Sequence, residues 1–339
     1  MNIVTLSHGG GGKAMKDLID QVFVTAFDNA LLAPLHDQAR IPLALLAQLG
    51  DRLAITTDSF VVDPLEFPGG DIGTLAVCGT INDLAVGGAI PLYLACAVII
   101  EEGLPIDLLH RMAGSMAATA HAAGVQIVTG DTKVVPRGAC DKLFVTTTGI
   151  GVIRAGVDLA AYHARPGDAV LVNGVLGDHG AAILAARGDL SLDAPIVSDC
   201  AALHGLVDVL LAAAPATRFL RDATRGGVAT VLNEIAIAAD CGIEIEESAV
   251  PLREAVQGFC EILGLDPLYL PNEGRLVAIV PQAQTERALA AMRAHPLGAG
   301  ACRIGGVTER RRGQVVMHTV FGGQRIVDML VGDQLPRIC

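Results

Sequence analysis

Val125-Gln126-Ile127-Val128 reads as a strand running into Gly130-Asp131-Thr132-Lys133, and, ten residues on, Leu143-Phe144-Val145-Thr146-Thr147-Thr148-Gly149-Ile150-Gly151-Val152 reads as another strand, with no helical pattern between them. A doubly wound sheet needs a helix after every strand. Direct passage from strand to strand predicts an α+β fold instead. Upstream, Pro105 to Ala123 reads as a helix, with Pro105 at its first turn and Gly124 at its end. Before it come a buried strand, Tyr93 to Ile100, and a turn entering a helix, Asp71 to Val86. Leu53-Ala54-Ile55-Thr56-Thr57 reads as a strand that stops at Asp58, and Met15 to Phe27 carries a helical pattern. Downstream, Pro166-Gly167-Asp168 opens a new block. Strand 169–172 leads into Gly177-Asp178-His179-Gly180 and a helix; helices follow near 199–213, 225–239 and 285–294, and strands near 276–280, 302–307 and 314–318. These breaks predict an N-terminal domain over 1–155, a C-terminal α/β domain over 156–320 and a flexible tail over 321–339.

The chain has 339 residues, 52% hydrophobic and 18% charged, enough for two domains with their own cores. The net charge is −12, and Arg310-Arg311-Arg312 is the one basic cluster, so a nucleic-acid partner is not expected. The most apolar stretch, Ile90 to Ile100, contains Pro91 and is too short to span a bilayer. No secretory leader pattern is read at the N-terminus. The eight cysteines form no Cys-x-x-Cys pair, and Cys78, Cys96, Cys200, Cys241 and Cys260 lie among apolar residues. Together these predict a cytoplasmic protein with buried packing thiols.

Four aspartates sit where a strand or turn meets a helix: Asp58, Asp71, Asp83 and Asp131. Singly, each reads as an N-cap or turn residue. Four in one half, three of them beside Gly or Thr, suit Mg²⁺, a hard ion that arrives with phosphates. Gly9-Gly10-Gly11-Gly12 before Lys13 reads equally as a phosphate cradle or as a plain flexible loop; it is not a Walker A loop. Asp222-Ala223-Thr224-Arg225-Gly226-Gly227 precedes an apolar helix and reads either as an anion-receiving helix start or as a structural turn. Pro271-Asn272-Glu273-Gly274 places a carboxylate at a turn before a strand, and His179 reads as a turn histidine. Cys339 follows Pro336-Arg337-Ile338 as the last residue. A thiol on a mobile end is a nucleophile that can be carried between partners, and its position excludes a prenylation box.

In this order these motifs resemble those of the hydrogenase-maturation HypE family, within the superfamily of aminoimidazole ribonucleotide synthetase and selenophosphate synthetase. The resemblance covers essentially the whole chain. It rests on the glycine-rich start, Thr56-Thr57-Asp58-Ser59, Phe67-Pro68-Gly69-Gly70-Asp71-Ile72-Gly73, Asn82-Asp83-Leu84-Ala85, Gly130-Asp131-Thr132-Lys133, Asp222 to Gly227, Asn272-Glu273-Gly274 and, most specifically, Pro336-Arg337-Ile338-Cys339. The resemblance implies a two-domain aminoimidazole ribonucleotide synthetase-like (PurM-like) fold with a mobile C-terminal tail. It implies a homodimer joined through the N-terminal sheets, with ATP between the domains near the dimer contact. It also implies a reaction: the carbamoyltransferase HypF loads a carbamoyl group onto Cys339, ATP drives its dehydration to an S-cyanide, and the cyano group passes to iron on a HypC–HypD scaffold. Asp58, Asp83 and Asp131 would hold Mg²⁺ and the triphosphate, Gly9 to Gly12 would close over it, and Glu273 and Lys133 would serve proton removal. Another ATP-using enzyme of the superfamily, or a non-catalytic thiol carrier, are the competing readings.

Overall fold

The computed structural model describes residues 3–188 and 196–330. After a helical N-terminal stretch, α1 (Lys13–Leu18), a π-helical segment Ile19–Val24 and α2 (Thr25–Phe27), a short α3 (Leu43–Ala47) precedes the first sheet. That half contains β1 (Arg52–Phe60), a ribbon of β2 (Glu66–Phe67) and β3 (Gly70–Asp71), α4 (Ile72–Val86), β4 (Ala89–Glu101), α5 (Ile106–Ala122), β5 (Gln126–Val135) and β6 (Leu143–Ile153). Its four long strands lie in the order β1-β6-β4-β5, with only β4 and β5 parallel. The second half contains β7 (Ala169–Val172), α6 (Asp178–Ala186), α7 (His204–Ala213), β8 (Phe219–Asp222), α8 (Gly227–Ala238), β9 (Gly242–Glu246), α9 (Glu254–Leu263), β10 (Leu276–Val280), α10 (Thr285–Ala294), β11 (Cys302–Thr308), β12 (Val315–His318) and β13 (Gln324–Val327). Its seven strands lie in the order β13-β12-β9-β11-β7-β10-β8.

The two sheets are covered differently, and their sequences show why. In β4, Leu94, Cys96, Val98 and Ile100 are buried under the helices, while Ala97 and Ile99 between them are exposed. This is the alternation of a sheet packed on one face only. β7 and β10 are apolar at every position because both of their faces are covered. Val170, Val172, Val277 and Ile279 pack in one cluster with the α8 residues Val228, Leu232 and Ile235. Leu171, Leu276 and Ala278 pack in another with Leu206 and Leu210 of α7 and Met292 of α10.

The two halves are joined by α4. Thirteen of its fifteen residues are buried, so it has no solvent face, as expected of a helix surrounded by protein. Ile72, Leu75 and Ile81 share a core with Ile183 of α6 and Phe259 of α9, while Ala85 and Val86 join the α7–α10 cluster of the second half. A truncation such as Leu75→Ala at this fully buried position would cost about 2–5 kcal/mol.

Three element boundaries differ from the sequence reading. β1 does not stop at Asp58 but pairs with β6 through Phe60, with Asp58 opposite Thr147. β5 continues through Gly130, Asp131 and Lys133 to Val135. Both are edge strands, where a polar side chain can reach solvent or a cleft without breaking the ladder. From the segment read as tail, Gln324–Val327 pairs with β12, and Val327 is fully buried. Val315 opposite Val327 provides the apolar contact that holds this strand down.

Candidate active site between the two halves

Asp58 on β1, Asp83 on α4, Asp222 at the end of β8 and Glu273 in the loop before β10 meet where the halves join. Asp83 accepts a hydrogen bond from the Thr56 hydroxyl at 2.8 Å. Burial raises its pKa, and the nearby Asp58 carboxylate adds to that shift. Asp222 is 5% exposed, and burial with repulsion from Asp83 and Asp58 pushes it up to about 7. Glu273 is 2% exposed, and its carboxyl is held well above the usual range by burial, then by Asp222, Asp199 and Asp58. Clustered carboxylates that suppress one another's ionisation are a common signature of a functional site. Asp83, Asp222, Thr56 and Arg221 also line a cavity of about 580 Å³, together with Leu53, Ile55 and Phe219.

The Glu273 loop is held through its backbone. Asp199 accepts from the Glu273 and Gly274 N–H groups, both at 3.2 Å, and its carboxylate lies 3.7 Å from the Arg275 guanidinium. Asn82, one turn from Cys78 on α4, donates to the Glu273 and Ala201 carbonyls. Asn272 accepts from the Gly177 N–H and donates to the Ala223 and Leu270 carbonyls. A Cβ on Gly274 would stand 1.9 Å from the Asp199 carbonyl oxygen, so only glycine allows this approach. Asn-Glu-Gly is therefore a clamp that leaves the Glu273 side chain for other work. Against it lie two thiols, Cys78 and Cys200, in hydrogen-bond contact, and this contact, followed by burial, raises the Cys200 pKa.

Asp131 and Lys133 are elsewhere. Asp131 is paired with Ala97 and Lys133 with Ile99, on the face of the sheet that the helices leave uncovered. Asp58 is paired with Thr147, which faces α4 and bonds to the Ala76 carbonyl and the Thr80 hydroxyl. Asp58 and Asp131 thus occupy opposite edges and opposite faces of one sheet. Among the described residues no three acidic, His or Cys side chains are grouped to hold a metal ion. Lys133 lies 2.9 Å from the Asp131 carboxylate, and its hydrogen bond holds the Asp131 pKa below the usual range. Of the glycine run, Gly9 packs on Val134, Gly10 lies near the Ser7 carbonyl, and Gly11 and Gly12 line a cavity of about 410 Å³ that Asp131 and Thr132 also border.

Several residues marked in the sequence are structural. Asp71 is the N-cap of α4, accepting from Thr74 N–H at 2.8 Å and from the Ser115 hydroxyl at 2.6 Å. His179 is fully buried, bonded to Ser198 and edge-on to Phe67. Cys78, Cys96, Cys241 and Cys260 are buried as expected, whereas Cys200 is half-buried. The Asp222 carboxylate was not singled out as an acid–base group; its raised pKa comes from burial and then from Asp83 of the other half, neither of which a turn aspartate shows in sequence. Cys339, Pro336 and Arg337 lie outside the described residues.

A family model described as AIR synthase related protein, N-terminal domain, matches residues 36–153, and the corresponding C-terminal domain model matches 165–318. The chain is 64% identical over 336 residues to carbamoyl dehydratase HypE of Rhodobacter capsulatus, covering 99% of this chain and 98% of that protein. A structure of hydrogenase maturation protein HypE in complex with ATP superposes with a TM-score of 0.94 at 50% identity, covering 99% of both chains. A HypE chain from a HypE–HypF complex superposes with a TM-score of 0.80 at 46% identity, covering 92% of this chain and 99% of that one. Identity at this level over the whole length, on the same two-domain fold, shows that the chain belongs to the HypE carbamoyl dehydratase family of hydrogenase maturation proteins.

Proposed function

We propose that this protein uses ATP to dehydrate a carbamoyl group carried on the Cys339 thiol to an S-cyanide, a cyanide source for the iron of a [NiFe] hydrogenase. The observation that carries this reading is Glu273, a buried carboxyl clamped through its backbone at the seam of the two halves beside Asp222 and Asp58, with its pKa raised by burial and then by those carboxylates. The carboxamide oxygen is a poor leaving group. Transfer of the ATP γ-phosphoryl to it, loss of both N–H protons and departure of phosphate convert S–C(=O)NH₂ to S–C≡N, with ADP and phosphate as co-products. Glu273 is the acceptor for the nitrogen protons. Lys133 offsets charge on the phosphorylated oxygen.

The donor set fits Mg²⁺. Asp58 and Asp83 offer hard carboxylate oxygens, and the repulsion that raises Asp83 and Asp222 is what a bound cation relieves. When bound, the ion neutralises triphosphate charge. Asp131 and Lys133 reach such a site from a second protomer if the open faces of two N-terminal sheets pack together. Exposed Leu53, Ile55 and Ile99 on that face support a homodimer of this kind. Gly9 to Gly12 then close over the nucleotide beside Asp131. HypF would load Cys339, and HypC–HypD would receive the product. Among the described residues no helix is long and apolar enough to cross a membrane.

Intact-mass measurement tests the reading. The chain is loaded by HypF and then given Mg·ATP. Loss of one water from the loaded protein is expected. A loaded chain whose mass never changes with ATP would leave only a thiol carrier.

A further inference from the structure

Among the described residues the most exposed large apolar side chain is Phe321, 96% exposed at the tip of the β12–β13 hairpin, beside Val320 at 61%. The turn that presents it is well ordered by its bonds. Thr319 N–H donates to the Gly323 carbonyl, Gly322 N–H to the Thr319 carbonyl, and Gly323 N–H to the Thr319 hydroxyl. Glu247 accepts from Val320 N–H at 2.8 Å. Behind the tip runs a groove of about 500 Å³ with an apolar floor of Leu252, Leu265, Leu268 and Met317 and an acidic rim of Glu247 and Glu261. Ile262 and Leu263, at the end of α9 beside it, are 67% and 41% exposed. Single exposed apolar residues need no explanation; an aromatic held out by a bonded turn above an apolar groove marks an interaction surface.

We propose that this hairpin and groove are the docking surface for the carbamoyl-loading partner, a HypF-type transferase presenting an apolar pocket with a basic rim. The inference rests on the reading of Cys339 as carbamoyl acceptor. Its argument is where the tail starts. The groove ends at Asp266, which pairs with Arg325 of β13 at 2.6 Å, and at Leu268, next to Tyr269, whose hydroxyl donates to the Asp328 carbonyl. Asp328 is thus anchored to Tyr269, and the eleven residues from there to Cys339 span at most about 40 Å. An enzyme acting on Cys339 must place its active site within that radius. A contact along this groove, which runs from Val320 at the tip to Leu268 beside the Tyr269–Asp328 bond, holds the thiol at high effective concentration. A homologue 46% identical forms a complex with HypF, so such a partner exists for the fold. The uncovered sheet face of the N-terminal half is a separate surface for a second copy.

The test uses the full chain with Phe321→Ser and Val320→Ser combined, and separately Phe321→Leu. Carbamoyl transfer to Cys339 by the transferase is followed by intact mass at varied acceptor concentration. ATP-driven loss of water is then measured on protein loaded to completion with excess transferase. The double variant should lose at least about tenfold in kcat/KM for loading, mainly through KM, with dehydration of the loaded form within twofold of wild type. Phe321→Leu should recover most of the loss. Loading within twofold of wild type overturns the proposal. So does a change of oligomeric state with normal loading, which assigns the groove to a second copy, or failed dehydration of loaded variant, which assigns it to the tail itself. If wild type itself is never loaded, the Cys339 reading fails first and the docking proposal falls with it.

Discussion

The inner and outer faces of the N-terminal sheet each carry aspartates, and their surroundings drive them in opposite directions. On the inner face Asp83, with Asp222 and Glu273 arriving from the second half, is desolvated and surrounded by like charge, and all three are raised. On the outer face Asp131 is more than half exposed, bonded to Lys133 and lowered. The same residue type is a strained acid in one place and a solvated ion pair in the other. The inner cluster stores the electrostatic tension that a cation, a nucleotide or a proton can release. The outer pair stores almost none by itself and gains a role only when another surface covers it.

The largest effect expected from this contrast is at Glu273. Glu273→Gln keeps shape and hydrogen bonding but removes the base, so the variant should accept carbamoyl and bind ATP yet form cyanide at least about a hundredfold more slowly. Near-normal cyanide formation would place the base elsewhere in the cluster, with Asp222 next. Asp83→Asn should keep or raise the melting temperature of the free protein, since it removes a desolvated charge, but lose the ATP-induced rise that binding linkage requires. A normal rise in that variant removes Asp83 from the nucleotide site.

The inner and outer faces can also be tested against each other. If Asp131 serves the neighbouring protomer, Asp83→Asn and Asp131→Asn chains are each inactive alone. Mixed in equal amounts, they should regain about a quarter of wild-type activity, because half of the dimers are mixed and one of their two sites is intact. No recovery would confine both residues to one protomer.

The pH response follows from the sign of the shift at Asp222. Its folded pKa, about 7, lies above the ordinary carboxylate value that it regains on unfolding. The unfolded chain therefore releases this proton first. The contribution is fully present below about pH 4 and is lost as pH rises through about 7. The melting temperature of the free protein should fall between pH 5 and pH 8 by roughly several degrees, and Asp222→Asn should flatten that fall. An equal fall in the variant would acquit Asp222. The smallest effect belongs to the outer pair: Lys133→Ala should change stability by less than about 1 kcal/mol, since exposed ion pairs contribute little.

Local signals were enough for much of this. Asp71 before a helix, Gly124 after one and the Thr-rich run at 143–152 each act through neighbours a few residues away, so turns, caps and most strands were legible. Boundaries failed where the deciding partner is distant. Asp58 looked like a strand end because a charged residue is unusual in a ladder, and only pairing with β6 shows that the strand continues. Gln324–Val327 looked like tail because its pattern is weak, and β12 supplies the partner and the buried place for Val327.

By itself the sequence determined that the fold is α+β in two blocks and that its motifs, in their order, are those of the HypE family. Those are properties of residue identity and spacing. Only the tertiary structure decided which carboxylates meet. It brought Asp222 and Glu273 to Asp83 on α4, separated all three from Asp131 by the thickness and width of a sheet, and tied Asp328 to Tyr269 at the end of β13 away from the Phe321 tip. The reason is physical: ionisation depends on burial and on charges a few ångströms away, and neither quantity exists until distant segments have packed.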